Sequence, residues 1–201
     1  MGWNFYNASG ELQINDGGVL ASAAVFTGKV DLGSNLLVGN AGSTGIAIDS
    51  VGAVNMAAQP AFLAVLDTTD SNVTGGGSVY TLGGGNALGV IFDQGSDFTG
   101  GDTFTAPITG RYLLSFGMRL GGLATDQTLQ EANVITSNRI YRFRNDLAGA
   151  GVTNSQAFGT VVADMDATDE ATVTLTMSGG SDVVDVETNA AATYFAGVLL
   201  V

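Results

Sequence analysis

The sequence predicts an all-β protein, a β-sandwich head of about ten strands preceded by a β-rich arm. Three observations carry that prediction. Thirty glycines stand against two prolines, among many Thr, Val and Asn, a balance that suits strands joined by tight turns. No window presents a sustained apolar stripe of 3.6-residue period. From Pro60 onward, short apolar or alternating segments recur at regular intervals, each bounded by Gly, Asn, Asp or Ser.

Residues 1–58 read as an arm or stalk, and residues 59–201 as the head. The arm holds KVDLG, NLLVG, TGIAID and GAVNM, β-like pieces too short to close a core of their own. Two readings stay open for it: winding with identical copies as a stalk, or lying as an extended arm on a neighbouring subunit. In the head the strand segments are AFLAVLD, VYTLG, LGVIFD, DTFTAP, GRYLLSFGMRL, NRIYRFRND, AFGTVVADM, EATVTLTMS, DVVDVE and TYFAGVLLV. A short helix finds its best opportunity at Ala124 to Ala132 (ATDQTLQEA).

Within FTAPITGRYLLSFGMRL, Pro107 fixes its φ and lacks a ladder donor, so it suits a corner before a strand. After it, Tyr112, Leu114, Phe116, Met118 and Leu120 share one face, the period-two pattern of a half-buried strand. EATVTLTMS alternates as cleanly, with Ala171, Val173, Leu175 and Met177 opposite three threonines. The last segment is apolar on both faces: Tyr194, Ala196, Val198 and Leu200 on one side, Phe195, Leu199 and Val201 on the other. Such a strand belongs in the middle of a sheet with something packed outside it, and a second subunit is the economical cover.

Composition excludes several functions. The chain has no cysteine and no histidine, which removes disulfides, thiolate and Ser-His-Asp catalysis, His-ligated zinc and histidine pH switches. Its net charge of −13 repels nucleic acid and anionic lipid. Only 12% of residues are charged while 45% are apolar, with a mean hydropathy of +0.30, and such excess apolar surface marks a subunit interface. The opening MGWNFYNASGELQ has neither a basic n-region nor an apolar h-region, so no secretory leader is expected. The longest apolar run, Ala190 to Val201, is too short to span a bilayer as a helix.

No segment supplies a cofactor site. GGGNALG (Gly83 to Gly89) lacks the Gly-Lys-Ser/Thr ending of a phosphate loop and reads as a hairpin loop. The acids Asp164, Asp166, Asp169 and Glu170 in DMDATDE pose a calcium question, but the EF-hand pattern fails at Thr168 and Asp169; a solvated acidic turn is the competing reading. Arg139, Arg142 and Arg144 hold half of the basic residues. Arg142 and Arg144 share a strand face, open either to a carboxylate-bearing glycan or partner or to cross-strand pairing with acids.

The order VIFDQGSDFTGGDTFTAPITGRYLLSFG, VVADMDATDEATVTL, TYFAGVLL resembles the C1q/TNF-like jelly-roll family over about residues 60 to 201. Phe92, Asp93, Phe104, Thr105, Ala106, Pro107, Gly110, Tyr112, Phe195 and Gly197 match the family pattern. Thr168-Asp169-Glu170 stands where the pattern has a Gly-Asp turn. The resemblance implies a ten-stranded jelly roll assembled as a homotrimer, without enzymatic activity, as the head of a stalked molecule. Tyr112, Leu114, Phe116, Tyr194, Phe195, Val198 and Leu200 are then the candidates for trimer interface and core, and Arg142 and Arg144 for ligand contact. The opening MGWNFYNASGELQ and TGIAIDSVGAVNM resemble structural proteins of tailed phages, particularly marine ones. That implies a virion fibre, spike or decoration protein made in the host cytoplasm, contacting other virion proteins through residues 1–58 and a host-surface glycan or protein through its head. A cellular C1q-like binding or adhesion module is the alternative.

Overall fold

A computed structural model describes residues 46–48, 51–188 and 192–201. The expectations placed on residues 1–45 lie outside the described residues. Two short strands, β1 (Ala47–Ile48) and β2 (Val54–Asn55), pair as a hairpin before the head. The head then runs β3 (Ala61–Leu66), β4 (Asp70–Thr74), β5 (Val79–Thr81), β6 (Leu88–Gln94), β7 (Phe98–Thr99), β8 (Thr103–Thr105) and β9 (Gly110–Gly121). It continues with β10 (Leu129–Thr136), β11 (Ile140–Asp146), β12 (Ser155–Met165), β13 (Glu170–Ser178), β14 (Val184–Glu187) and β15 (Tyr194–Leu199).

These strands make two antiparallel sheets. In the seven-stranded sheet, β9 has β12 along one edge; β15 and β14 lie end to end along the other. Outside them β3 and β4 are likewise end to end, and β6 closes the sheet beside β3. The six-stranded sheet runs β11, β10, β13, β8, β7, with β5 also paired to β13. The chain passes from one sheet to the other at most connections, which is the winding of a jelly roll. All-β, sandwiched and antiparallel, this is the predicted architecture.

Alternation decides what lies between the sheets. Tyr112, Leu114, Phe116, Met118 and Leu120 of β9 are fully buried, as are Ala171, Leu175 and Met177 of β13, with Val173 nearly so. Phe62 stacks on Phe104 (4.7 Å) and Phe98 (5.1 Å) and meets Phe195 edge-on (5.0 Å). Gly197 explains how Phe62 comes so near the sheet: a Cβ there would lie 2.6 Å from its ring. Pro107 sits at the corner, and the Tyr112 hydroxyl donates to Ile108 O (2.7 Å), tying the buried ring to the corner that precedes it.

One expectation is overturned. Ala124 to Ala132 is no helix: its first half is a turn in which Gln127 N–H donates to Ala124 O (3.1 Å), and its second half enters β10. β10 is laddered by β11 on one side and β13 on the other, and two rows of neighbours outweigh the helix propensity of Ala, Gln and Glu.

Candidate interaction face

The register of the larger sheet assembles an outer face from five strands. One row across it is Val65, Tyr194, Gly117 and Phe158. The next is Phe92, Leu63, Ala196, Ser115 and Thr160. The third is Gln94, Ala61, Val198, Leu113 and Val162. No charged side chain stands in these rows, on a chain of net charge −13. Phe158 is 69% exposed, Val162 50% and Phe92 48%, whereas Tyr194, Ala196 and Val198 are half-buried by their neighbours.

The hydroxyls on this face satisfy one another. Thr160 Oγ1 donates to Ser115 Oγ (3.1 Å), and Ser115 Oγ lies 3.4 Å from the Tyr194 hydroxyl. Among the described residues, charge borders this face at the ends of the strands, where Asp67 lies against Gly89. Arg111 opposes Asp164 at one end, and at the other Arg119 donates from Nε to Glu187 Oε2 (2.7 Å). An apolar field framed by charge is the usual anatomy of a protein contact surface.

The outer face of the smaller sheet is different in kind. Arg142, Asn133, Thr174 and Thr81 form one row, and Arg144, Glu131, Thr176 and Val79 another. Arg142 Nη1 donates to Glu131 Oε1 (2.9 Å), so the cross-strand pairing read from the sequence is present for Arg142. Arg144 forms no ion pair among the described residues. Phe143 turns the other way, edge-on to Phe116 at 5.3 Å, and closes the gap between β11 and β12.

The candidate residues therefore divide. Tyr112, Leu114, Phe116 and Phe195 lie inside the sandwich of a single chain, nearly or wholly without exposure. Tyr194 and Val198 lie on the outer apolar face, and Leu200 is 48% exposed beyond the end of β15. β15 is central, between β3 and β9, as its two apolar faces imply.

The acidic turn holds its carboxylates in hydrogen bonds. Arg139 grips Asp164 through Nε and Nη2 (both 3.0 Å), which, with lesser help from the Asp164 backbone and Tyr141, holds the Asp164 carboxyl down to about 2. Asp169 Oδ2 accepts from Asp166 N–H (2.8 Å) and from Asn138 Nδ2 (2.9 Å). Among the described residues, no group of three or more acidic side chains is placed to hold a metal ion.

Sequence reading missed one polar centre. Asp70 is 4% exposed. It accepts the Tyr80 hydroxyl (2.5 Å) at one oxygen and both Asn86 N–H (2.8 Å) and the Asn86 side-chain amide at the other. Burial, and then the Asp70 carboxylate, push the Tyr80 hydroxyl well above its usual pKa. The glycine-rich loop wraps this carboxylate, and a Cβ at Gly85 would lie 2.6 Å from it. The loop thus has a structural task, compatible with its reading as a hairpin loop.

No family model and no curated protein matches this sequence. Among solved structures the chain is similar to murine APRIL, with 16% identity and a TM-score of 0.48 over 71% of this chain and 99% of that one. It is also similar to the globular domain of zebrafish complement 1qA, with 13% identity and a TM-score of 0.47 over 71% of this chain and 98% of that one.

Proposed function

We propose that this protein is a non-enzymatic homotrimeric virion component, a fibre, spike or capsid decoration. Residues 1–58 attach it to the particle, and the sandwich head projects toward the host surface. The observation that carries the assembly part is the uncharged outer face of the larger sheet. On an acidic chain, like copies repel wherever charge meets charge, so contact is favoured where neither surface has any. Fully burying a large apolar side chain contributes roughly 1.5–3 kcal/mol, and Phe92, Phe158 and Val162 are the exposed members of the face with most to gain. The virion part is supported by the resemblance of MGWNFYNASGELQ and TGIAIDSVGAVNM to phage structural proteins. Function then comes from rigidity and avidity, since three heads on one base engage a repetitive surface together.

Mass photometry of the full chain at micromolar concentration tests the assembly: a species of three times the 20.3 kDa chain mass is expected, and a monomer refutes it. Labelling purified particles with an antibody to the head tests the location, and particles left bare refute the virion assignment.

A further inference from the structure

The β1–β2 hairpin does not stand clear of the head. Gln59 donates from Nε2 to Leu199 O (2.5 Å), and Gln94 donates from its own Nε2 to Ala57 O (3.2 Å). Gln59 N–H closes a turn onto Met56 O (3.0 Å), and Leu199 N–H donates to Pro60 O (3.0 Å). These bonds fasten residues 56–60 to the end of β15 and to β6. The fastening leaves a cleft of about 400 Å³ whose wall is Val54 and Met56 and whose floor is Ala61, Gln94 and Val198. That floor is part of the third row of the apolar face, in which Leu113 and Val162 follow Val198. Val54 and Met56 are 62% and 45% exposed, and no charged residue occurs from Val51 to Leu66.

We infer that the hairpin and the outer face form one composite docking surface, and that its occupant is a second copy of this chain. The inference rests on the assembly reading above and adds a place to it: the contact between copies continues past the head into the neck. Two observations favour a second copy as occupant. Wall and floor are continuous with the uncharged rows, so one partner surface covers both. The neutral amide of Gln94 and the aliphatic wall ask for an uncharged apolar surface, which the face itself offers on a chain of net charge −13. Two glutamine amides hold the segment from Ala57 to Gln59, which directly follows the hairpin, against the head before any partner arrives, so little ordering cost falls on that segment in association.

The test compares full-length wild type with the double variant Val54→Glu/Met56→Glu in dilution series by mass photometry, with far-UV circular dichroism to confirm the fold. The concentration for half-dissociation is expected to rise at least tenfold. An unchanged value in a folded variant, with wild type still assembled, overturns the neck contact and leaves head assembly standing. A wild type that is monomeric at micromolar concentration overturns both. The absence of cysteine permits a second measurement independent of the first. Treated with a short bis-maleimide, Val54→Cys mixed with a tagged Val162→Cys chain is expected to give a mixed covalent pair. Val54→Cys mixed with a tagged Val79→Cys chain, whose cysteine lies on the outer face of the other sheet, is expected to give none. Absence of the mixed pair with Val162→Cys, or its equal formation with Val79→Cys, overturns the inference.

Discussion

Thr168 is a β-branched residue held at φ 76°, in the left-handed region. The backbone around it is clamped: Thr168 N–H donates to Ala106 O (2.7 Å), and Ala106 N–H donates to Asp169 O (2.8 Å). The conformation is therefore imposed by the corner at Pro107 against the preference of the residue. Its side chain is exposed, so a substitution changes backbone cost with little loss of packing. Left-handed geometry costs a residue with a Cβ about 1–2 kcal/mol, and β-branching puts Thr at the upper end. Glycine removes that cost but returns about 0.4–1 kcal/mol as unfolded-chain freedom. Thr168→Gly is thus expected to stabilise by about 1 kcal/mol, a rise of roughly 2–4 °C in Tm for a domain of this size. Thr168→Asn should gain part of this, because Asn tolerates the region, and Thr168→Val should gain nothing. The order is read by thermal and urea unfolding, at one fixed protein concentration because assembly shifts apparent stability. If Thr168→Gly melts below wild type, backbone strain at this turn is not the governing quantity and the argument fails.

Other outcomes follow from the buried polar groups and the acidic turn. Tyr80→Phe removes a donor from the buried Asp70 carboxylate and should cost about 1.5–3 kcal/mol in urea unfolding, with faster proteolysis in the Gly83–Gly89 loop; an unaltered midpoint contradicts the role given to that hydrogen bond. Both polar atoms of the Gln127 side chain are buried without a hydrogen-bond partner among the described residues. Gln127→Met, similar in shape, should therefore stabilise by about 1 kcal/mol, and a loss instead means that the amide is satisfied. Asp164 titrates in the folded chain at about 2, below its usual 3.8. Its stabilisation is therefore complete above about pH 4 and is lost as pH falls toward about 2. The gap in urea midpoint between wild type and Asp164→Asn should shrink from pH 6 to pH 2.5; a gap that persists in acid argues against the Arg139 pair as its source.

Where apolar residues alternated along one strand, the sequence was easy to read. β9 and β13 became opposite walls of the core because a buried face imprints period two on its own segment, and β15 became a central strand because both of its faces are apolar. β10 left no such imprint. Its inward positions include Gln130 and Thr136 and its outward ones Glu131 and Ile135, so polarity does not report side, and only the ladders to β11 and β13 do. The apolar face was half legible. Tyr194 and Val198 were read from the last strand, but Phe92, Phe158 and Val162 sit far apart in sequence and join them only through register. Asp70, Tyr80 and Asn86 escaped for a related reason: nothing local distinguishes that carboxylate from the other acids. At Thr168 the turn keeps a geometry that suits glycine without having the glycine, so composition there pointed away from the conformation.

The hydroxyl chain of Thr160, Ser115 and Tyr194 has a corollary for disassembly. Across the three rows there is no carboxylate, amine or imidazole side chain. Any complex formed through that field lacks a proton-driven trigger at its heart. Mild acid of the kind that loosens histidine-bearing contacts would leave it closed.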